Sequence, residues 1–145
     1  MPLHLIKLAV GVESVKDLKR RIAERTAAAR QAGLDPHHIH VTRMMPKREA
    51  ELLAGGSLYW VVRGEVAARE KLIAIEQFRD SEGISRCRIV MEPELITVSP
   101  RPMRPFQGWR YLADKDIPAD LGSAAASIEA MPEAMRRELR DLGLL

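Results

Sequence analysis

A single cysteine, Cys87, stands in the chain, so no intrachain disulfide framework can staple it. The apolar run at the start, residues 3–12, is interrupted by His4 and Lys7 and is too short to span a bilayer. It lacks the basic n-region and small-residue cleavage site of a signal peptide. Taken together, these absences lead us to expect a protein of the reducing cytoplasm with no membrane association. Chemical signatures are missing too. There is no His-Glu-x-x-His and no Cys pair at metal spacing. Neither Ser57 nor Ser99 occupies a Gly-x-Ser-x-Gly elbow, and Gly55-Gly56-Ser57 has neither the Lys-Ser/Thr ending nor the glycine spacing of a nucleotide loop. No cofactor or metal is expected.

What is present is a globular balance. Of 145 residues, 46% are hydrophobic and 30% charged, which argues against wholesale disorder. The formal net charge of +3 is unevenly spread. Residues 1–110 hold 19 lysines and arginines against 13 acids, whereas residues 111–145 hold 4 against 7. We therefore expect a basic α/β core domain over 1–112 and an acidic helical appendage over 113–145. Two stretches contain bases and no acid: 37–48, with Arg43, Lys47 and Arg48, and 99–110, with Arg101, Arg104 and Arg110. Such stretches attract phosphates or carboxylates, and they also serve as solvated faces.

Hydrophobic periodicity supplies the elements. Residues 3–10 read as a buried strand. Ser14 with Asp17 starts a helix whose apolar stripe is Val15, Leu18, Ile22, Thr26 and Ala29, and Gly33 ends it. Residues 38–43 form a short strand with His38, His40 and Thr42 on one side. A short helix runs from Pro46 to Leu53, and the run 58–63 is a strand rich in β-branched and aromatic residues. Residues 65–78 combine alternating apolar positions with helix-forming composition; we read them as a long strand entering a hairpin with 84–91 through the turn 80–83. Short strands follow at 95–98 and 106–112. Pro132 and the spacing of Met135, Leu139 and Leu142 suggest a last helix. The fold class expected is α/β or α+β, with a small mixed or barrel-like sheet and outer helices.

Three constellations are candidates for function. His38 and His40 share one side of a strand, so they suit acid/base chemistry with Arg43 as an anion clamp. Cys87 is flanked by Arg86 and Arg88, but on a strand those side chains point away from it, and a small buried hydrophobe is the simpler reading. The six aromatics are the third: five fall into Tyr59-Trp60 and the group Phe106, Trp109 and Tyr111, each with arginines nearby. Rings beside guanidinium groups stack on bases, and the same pairs anchor small β-cores.

The runs Thr-Arg-Met-Met-Pro-Lys-Arg (42–48), Gly-Gly-Ser-Leu-Tyr-Trp-Val-Val-Arg-Gly (55–64), Cys-Arg-Ile-Val-Met-Glu-Pro-Glu-Leu (87–95) and Arg-Pro-Phe-Gln-Gly-Trp-Arg-Tyr-Leu (104–112) resemble a bacterial family of unknown function. The resemblance covers residues 1–121 and implies a small intracellular protein, with no activity attached. In outline, the Gly-Gly turn, aromatic strand, Arg-Gly and long strand are similar to PUA-like barrels of the ASCH and EVE kind, which implies RNA or modified-base binding by analogy of strand order alone.

The function expected first is a non-enzymatic nucleic-acid or nucleotide-binding module, RNA before DNA. Arg43, Lys47, Arg48, Arg101, Arg104 and Arg110 would meet phosphates, Trp109 and Tyr59 or Trp60 would stack, and Gln107 would read a base edge. The alternatives are a small enzyme using His38 or His40 on a phosphate- or carboxylate-bearing substrate, and an adaptor or homo-oligomer joined through Met131, Met135, Leu139 and Leu142 of the tail.

Overall fold

The structure, a computed structural model, describes residues 2–121. Its elements are β1 (Leu3–Leu8), α1 (Val15–Gln31), β2 (His38–Thr42), α2 (Glu49–Leu53), β3 (Ser57–Val62), β4 (Glu65–Arg79), β5 (Ser85–Met91), β6 (Ile96–Pro102) and β7 (Trp109–Ala113), with a 3-10 turn at Asp114–Asp116. The final-helix residues Met131, Met135, Leu139 and Leu142 lie outside the described residues. Among those described, no helix is long and apolar enough to cross a membrane.

The segment with conflicting signals, 65–78, is a strand. Its pairing explains why tertiary context overrides helix propensity. One edge of β4 takes β3 along Glu65–Lys71; the other takes β6 along Glu65–Arg69 and then β5 along Leu72–Arg79. Register shifts at Val66/Ala68 and Leu72/Ala74 accommodate this change of partner. β-Bulges bend a strand and increase its twist. β3 enters β4 through Arg63-Gly64, both at positive φ (49° and 82°), the two-residue hairpin geometry that matches strand twist.

The sheet is mixed and open, in the order β2-β5-β4-β3-β1-β7 with β6 alongside β4. β1 runs parallel to β3 and antiparallel to β7. The barrel-like option is corrected here: the end strands β2 and β7 do not pair. Side-chain bonds from the loop after β2 span the gap instead. Trp109 donates its indole N–H to the Met44 carbonyl at 2.8 Å, and the Tyr111 hydroxyl accepts the Lys47 N–H at 2.9 Å and the Arg48 N–H at 3.3 Å.

α2 begins at Glu49 rather than at the expected Pro46, and the amides of Lys47 and Arg48 just before it donate to the Tyr111 hydroxyl. They are not spare donors for a phosphate, as a free helix start would offer. At the far end of α2, a side chain at Gly56 would lie 2.2 Å from the Leu3 carbonyl oxygen and 2.4 Å from that of Leu52, so only glycine fits between helix and sheet.

Alternation divides the sheet into two cores. On one face Leu3, Leu5, Leu58, Trp60, Ile75, Cys87, Ile89 and Met91 pack with Val15, Leu18 and Ile22 of α1 and Leu52 of α2. On the other, Ile6, Tyr59, Val61, Val66 and Val98 meet Met103, Phe106, Leu112 and Ile117. Cys87 is wholly buried, and burial pushes its thiol up from the usual range, the opposite of an activated nucleophile. The start of the expected appendage is tied to the sheet: Val98 bridges Asp120, Arg69 donates to the Asp120 carboxylate at 2.7 and 2.8 Å, and the Leu121 N–H reaches the Thr97 carbonyl.

Candidate functional site: a basic cleft over a buried imidazole and carboxylate

The bend in β4 brings its inner face toward β2. His38, the first residue of β2, pairs with Met91 on β5. Glu70 pairs with Leu58 and so faces the same core as Trp60. The Glu70 side chain is 0% exposed. Its carboxylate accepts the Trp60 indole N–H at 2.8 Å and the His38 Nδ1–H at 2.9 Å to each oxygen. A carboxylate withdrawn from water demands such donors.

His38 also lines a cavity of about 240 Å³ between α1 and the sheet. The floor is Trp60, His38 and His40. The apolar wall is Val12, Leu18 and Ile22, and the basic rim is Lys7, Arg21 and Arg25. His40 meets the Trp60 ring edge-on, with centroids 5.8 Å apart. Burial chiefly, then Lys7, His38 and Arg25 nearby, push its imidazole down to about 4. It is therefore neutral at pH 7. Lys7 is half-buried, and burial lowers its ammonium below the usual range. Arg21 spends its guanidinium on the Gly11 carbonyl at 2.7 Å and on Asp17 at 3.4 Å. Among the described residues, Lys7 and Arg25 have no hydrogen-bond or ion-pair partner.

The histidines are used differently. His4 employs both ring nitrogens: Nδ1 accepts the Ser57 N–H at 3.0 Å, so Nε2–H donates to Asp114 at 2.8 Å. His37 sits outside the cleft against Asp35. His38 uses Nδ1 alone, and no partner meets its Nε2 among the described residues. No group of three His, Cys, Asp or Glu side chains there could hold a metal.

The other expected site residues divide into surface and core. Arg43, Lys47, Arg48, Arg101, Arg104, Gln107 and Arg110 are exposed. Arg43 does not line the cleft; Lys7, Arg21 and Arg25 occupy the rim where an anion clamp would stand. Tyr59 is 1% exposed, with its hydroxyl pushed up to about 12 by burial. Trp109 is 6% exposed, and its N–H is committed to Met44. Neither ring presents a face for stacking. Tyr111, at 37% exposure, is the ring that reaches solvent, with the Arg48 guanidinium 5.7 Å from its centroid. Arg110 lies over Phe106 at 4.8 Å. The Trp109–Met44 and Tyr111–Lys47 bonds bring the two acid-free basic stretches together along β7.

Sequence reasoning missed Glu70, Lys7 and Arg25. Glu70 sits in Arg69-Glu70-Lys71, which looks like a solvated run, yet its parity with Ala68 and Leu72 places it on the apolar face. Lys7 carried the same signal, sharing parity with Leu3 and Leu5. Arg25 had none, because what it faces depends on where α1 packs.

No curated protein matches the chain, and no solved structure does. A family model described as a protein of unknown function, DUF1489, matches residues 5–145, nearly the full length including both basic stretches and the cleft, and the chain therefore belongs to that family.

Proposed function

We propose that the chain binds a small molecule bearing a phosphate or carboxylate in the cleft beneath α1. The observation that supports this reading is the pair of cations without counter-charge at the cavity rim, Lys7 and Arg25, one of them half-buried. Holding an ammonium partly away from water without a partner is unfavourable, and an anionic ligand removes that cost. The cavity volume of about 240 Å³ lies near the small end of ligand sites, which favours a compact ligand over a polymer. Trp60, Val12, Leu18 and Ile22 offer an apolar wall for its body, and the imidazoles of His38 and His40 offer polar contacts. Isothermal titration of the full chain with pyrophosphate tests this. Binding should weaken roughly tenfold to a hundredfold in Lys7→Ala/Arg25→Ala, the loss expected for charge-assisted contacts. Absence of binding in the wild type would remove the reading.

A second reading, RNA binding, is supported by the convergence of the basic stretches along β7. Lys47, Arg48, Arg104 and Arg110 would meet phosphates there, with Gln107 beside them. Tyr111, exposed and next to Arg48, takes the stacking role expected of Trp109 or Tyr59. Fluorescence anisotropy with labelled single-stranded RNA over a salt series tests it; affinity should fall log-linearly with salt.

A further inference from the structure

Resting on the cleft reading, we infer that His38 is the proton-accepting residue of this site, and that the ligand is an anionic ester whose attack by water His38 promotes. Three features of the geometry lead there.

The first is the fixed ring. With Nδ1–H donated to a carboxylate that is 0% exposed, the imidazole cannot exchange nitrogens without breaking a buried bond. Its lone pair is thereby held on Nε2. A carboxylate behind an imidazole orients it and stabilises the imidazolium that forms when it takes a proton. The second is the cavity. Of the two buried histidines, His4 has both nitrogens bonded, whereas His38 lines the cavity and its Nε2 has no hydrogen-bond partner among the described residues. The third is the rim. Lys7 and Arg25 would hold the anion of an ester beside that nitrogen, where they also stabilise charge developing on the attacked group.

The step balances without a further reagent. A water O–H bond breaks and its proton bonds to Nε2, while the water oxygen forms its new bond to the phosphorus or carbonyl carbon. The bond to the leaving oxygen then breaks with its electron pair, and that oxygen takes the proton from Nε2. Glu70 does not touch the ligand. It is a positioning residue, with the Trp60 N–H in turn holding the carboxylate.

Two measurements on the full chain test this. Diethyl pyrocarbonate acylates imidazole nitrogens that are neutral and accessible, and peptide mass analysis locates the product. His38 should react and His4 should not. Saturating pyrophosphate should slow the His38 reaction at least roughly tenfold, as occupancy of the site requires. Glu70→Gln, with an unchanged circular dichroism spectrum, should also slow it, which a purely structural Glu70 would not do. An unreactive His38 overturns the inference. A reactive His38 indifferent to pyrophosphate overturns the cleft reading on which the substrate assignment rests.

The second measurement follows nitrophenolate release from 4-nitrophenyl phosphate, a phosphate ester, and mono(4-nitrophenyl) glutarate, a carboxylic ester with a free carboxylate. One of the two should turn over, and His38→Gln should lower that rate by roughly a hundredfold, the usual scale of general-base catalysis. Release of nitrophenolate from neither ester, or an equal rate in His38→Gln, overturns the hydrolytic role.

Discussion

The α1 cleft and the β7 edge use the same residue types to different ends. At the β7 edge the guanidinium groups are exposed, Arg48 pairing with Glu51 and Arg110 lying on Phe106. In the cleft, a half-buried lysine without a partner and an exposed arginine line the cavity with His38, whose partner Glu70 is sealed from water. Charge density along the chain favours the first region, and electrostatic tension favours the second. Surface pairs are worth little because water screens them, so their arrangement is loosely specified. A buried carboxylate is tolerated only where its donors are placed for it. The cleft is thus the region in which geometry is demanding.

Breaking the buried cluster should produce the largest effect. Glu70→Leu strands the Trp60 N–H and the His38 Nδ1–H in the core and should destabilise the chain by about 3 kcal/mol in urea unfolding. The corresponding loss at the β7 edge should be smaller. Trp109→Phe removes one bond across the sheet opening, the one to Met44, and should cost about 1 kcal/mol. Lys7→Met should move stability the other way, raising the unfolding free energy of the unliganded chain by about 0.3 to 1 kcal/mol, because an unpaired ammonium leaves a half-buried place. If Lys7→Met lowers stability, Lys7 is not under the tension ascribed to it.

A pH experiment sharpens the contrast. His40 titrates at 6.5 when unfolded and at about 4 when folded. The unfolded chain therefore binds a proton that the folded chain refuses. Stability contributed in this way is whole above 6.5 and declines as pH falls from 6.5 toward 4. His40→Gln should flatten that part of the profile. The acid-side loss at still lower pH should survive, since Asp80 and Asp120, held down chiefly by Arg86 and Arg69, are protonated there. The smallest stability change should come from Arg104→Ala/Arg110→Ala, within about 0.5 kcal/mol. If RNA binds at this edge, the same pair should lower the log-log salt slope by roughly 1.4 for a single strand.

Much of the fold was legible because it depends on local periodicity. The stripe Val15, Leu18 and Ile22 on α1 is the buried one, and Ser14 caps the helix by accepting the Asp17 N–H. Cys87 shares its face with Ile89 and Met91, as alternation requires. The long β4 was readable from its alternating positions against its composition. The open edge was not readable, since whether β2 meets β7 depends on how far β4 bends. Nor was the fate of the aromatics: Tyr59 and Trp60 are neighbours, and alternation sends one to each core, but only packing decides that Tyr59 is sealed while Trp60 floors a cavity.

The sequence by itself determined the mixed α+β class, the elements and the side of each strand on which His38, Lys7 and Glu70 lie, because strand parity is a property of the backbone. Tertiary structure alone decided that these three, from β2, β1 and β4, share one site with Arg25 of α1. Their meeting depends on a bulged strand changing partners at Leu72/Ala74 and on the docking of a helix, and both are set by packing across the whole sheet.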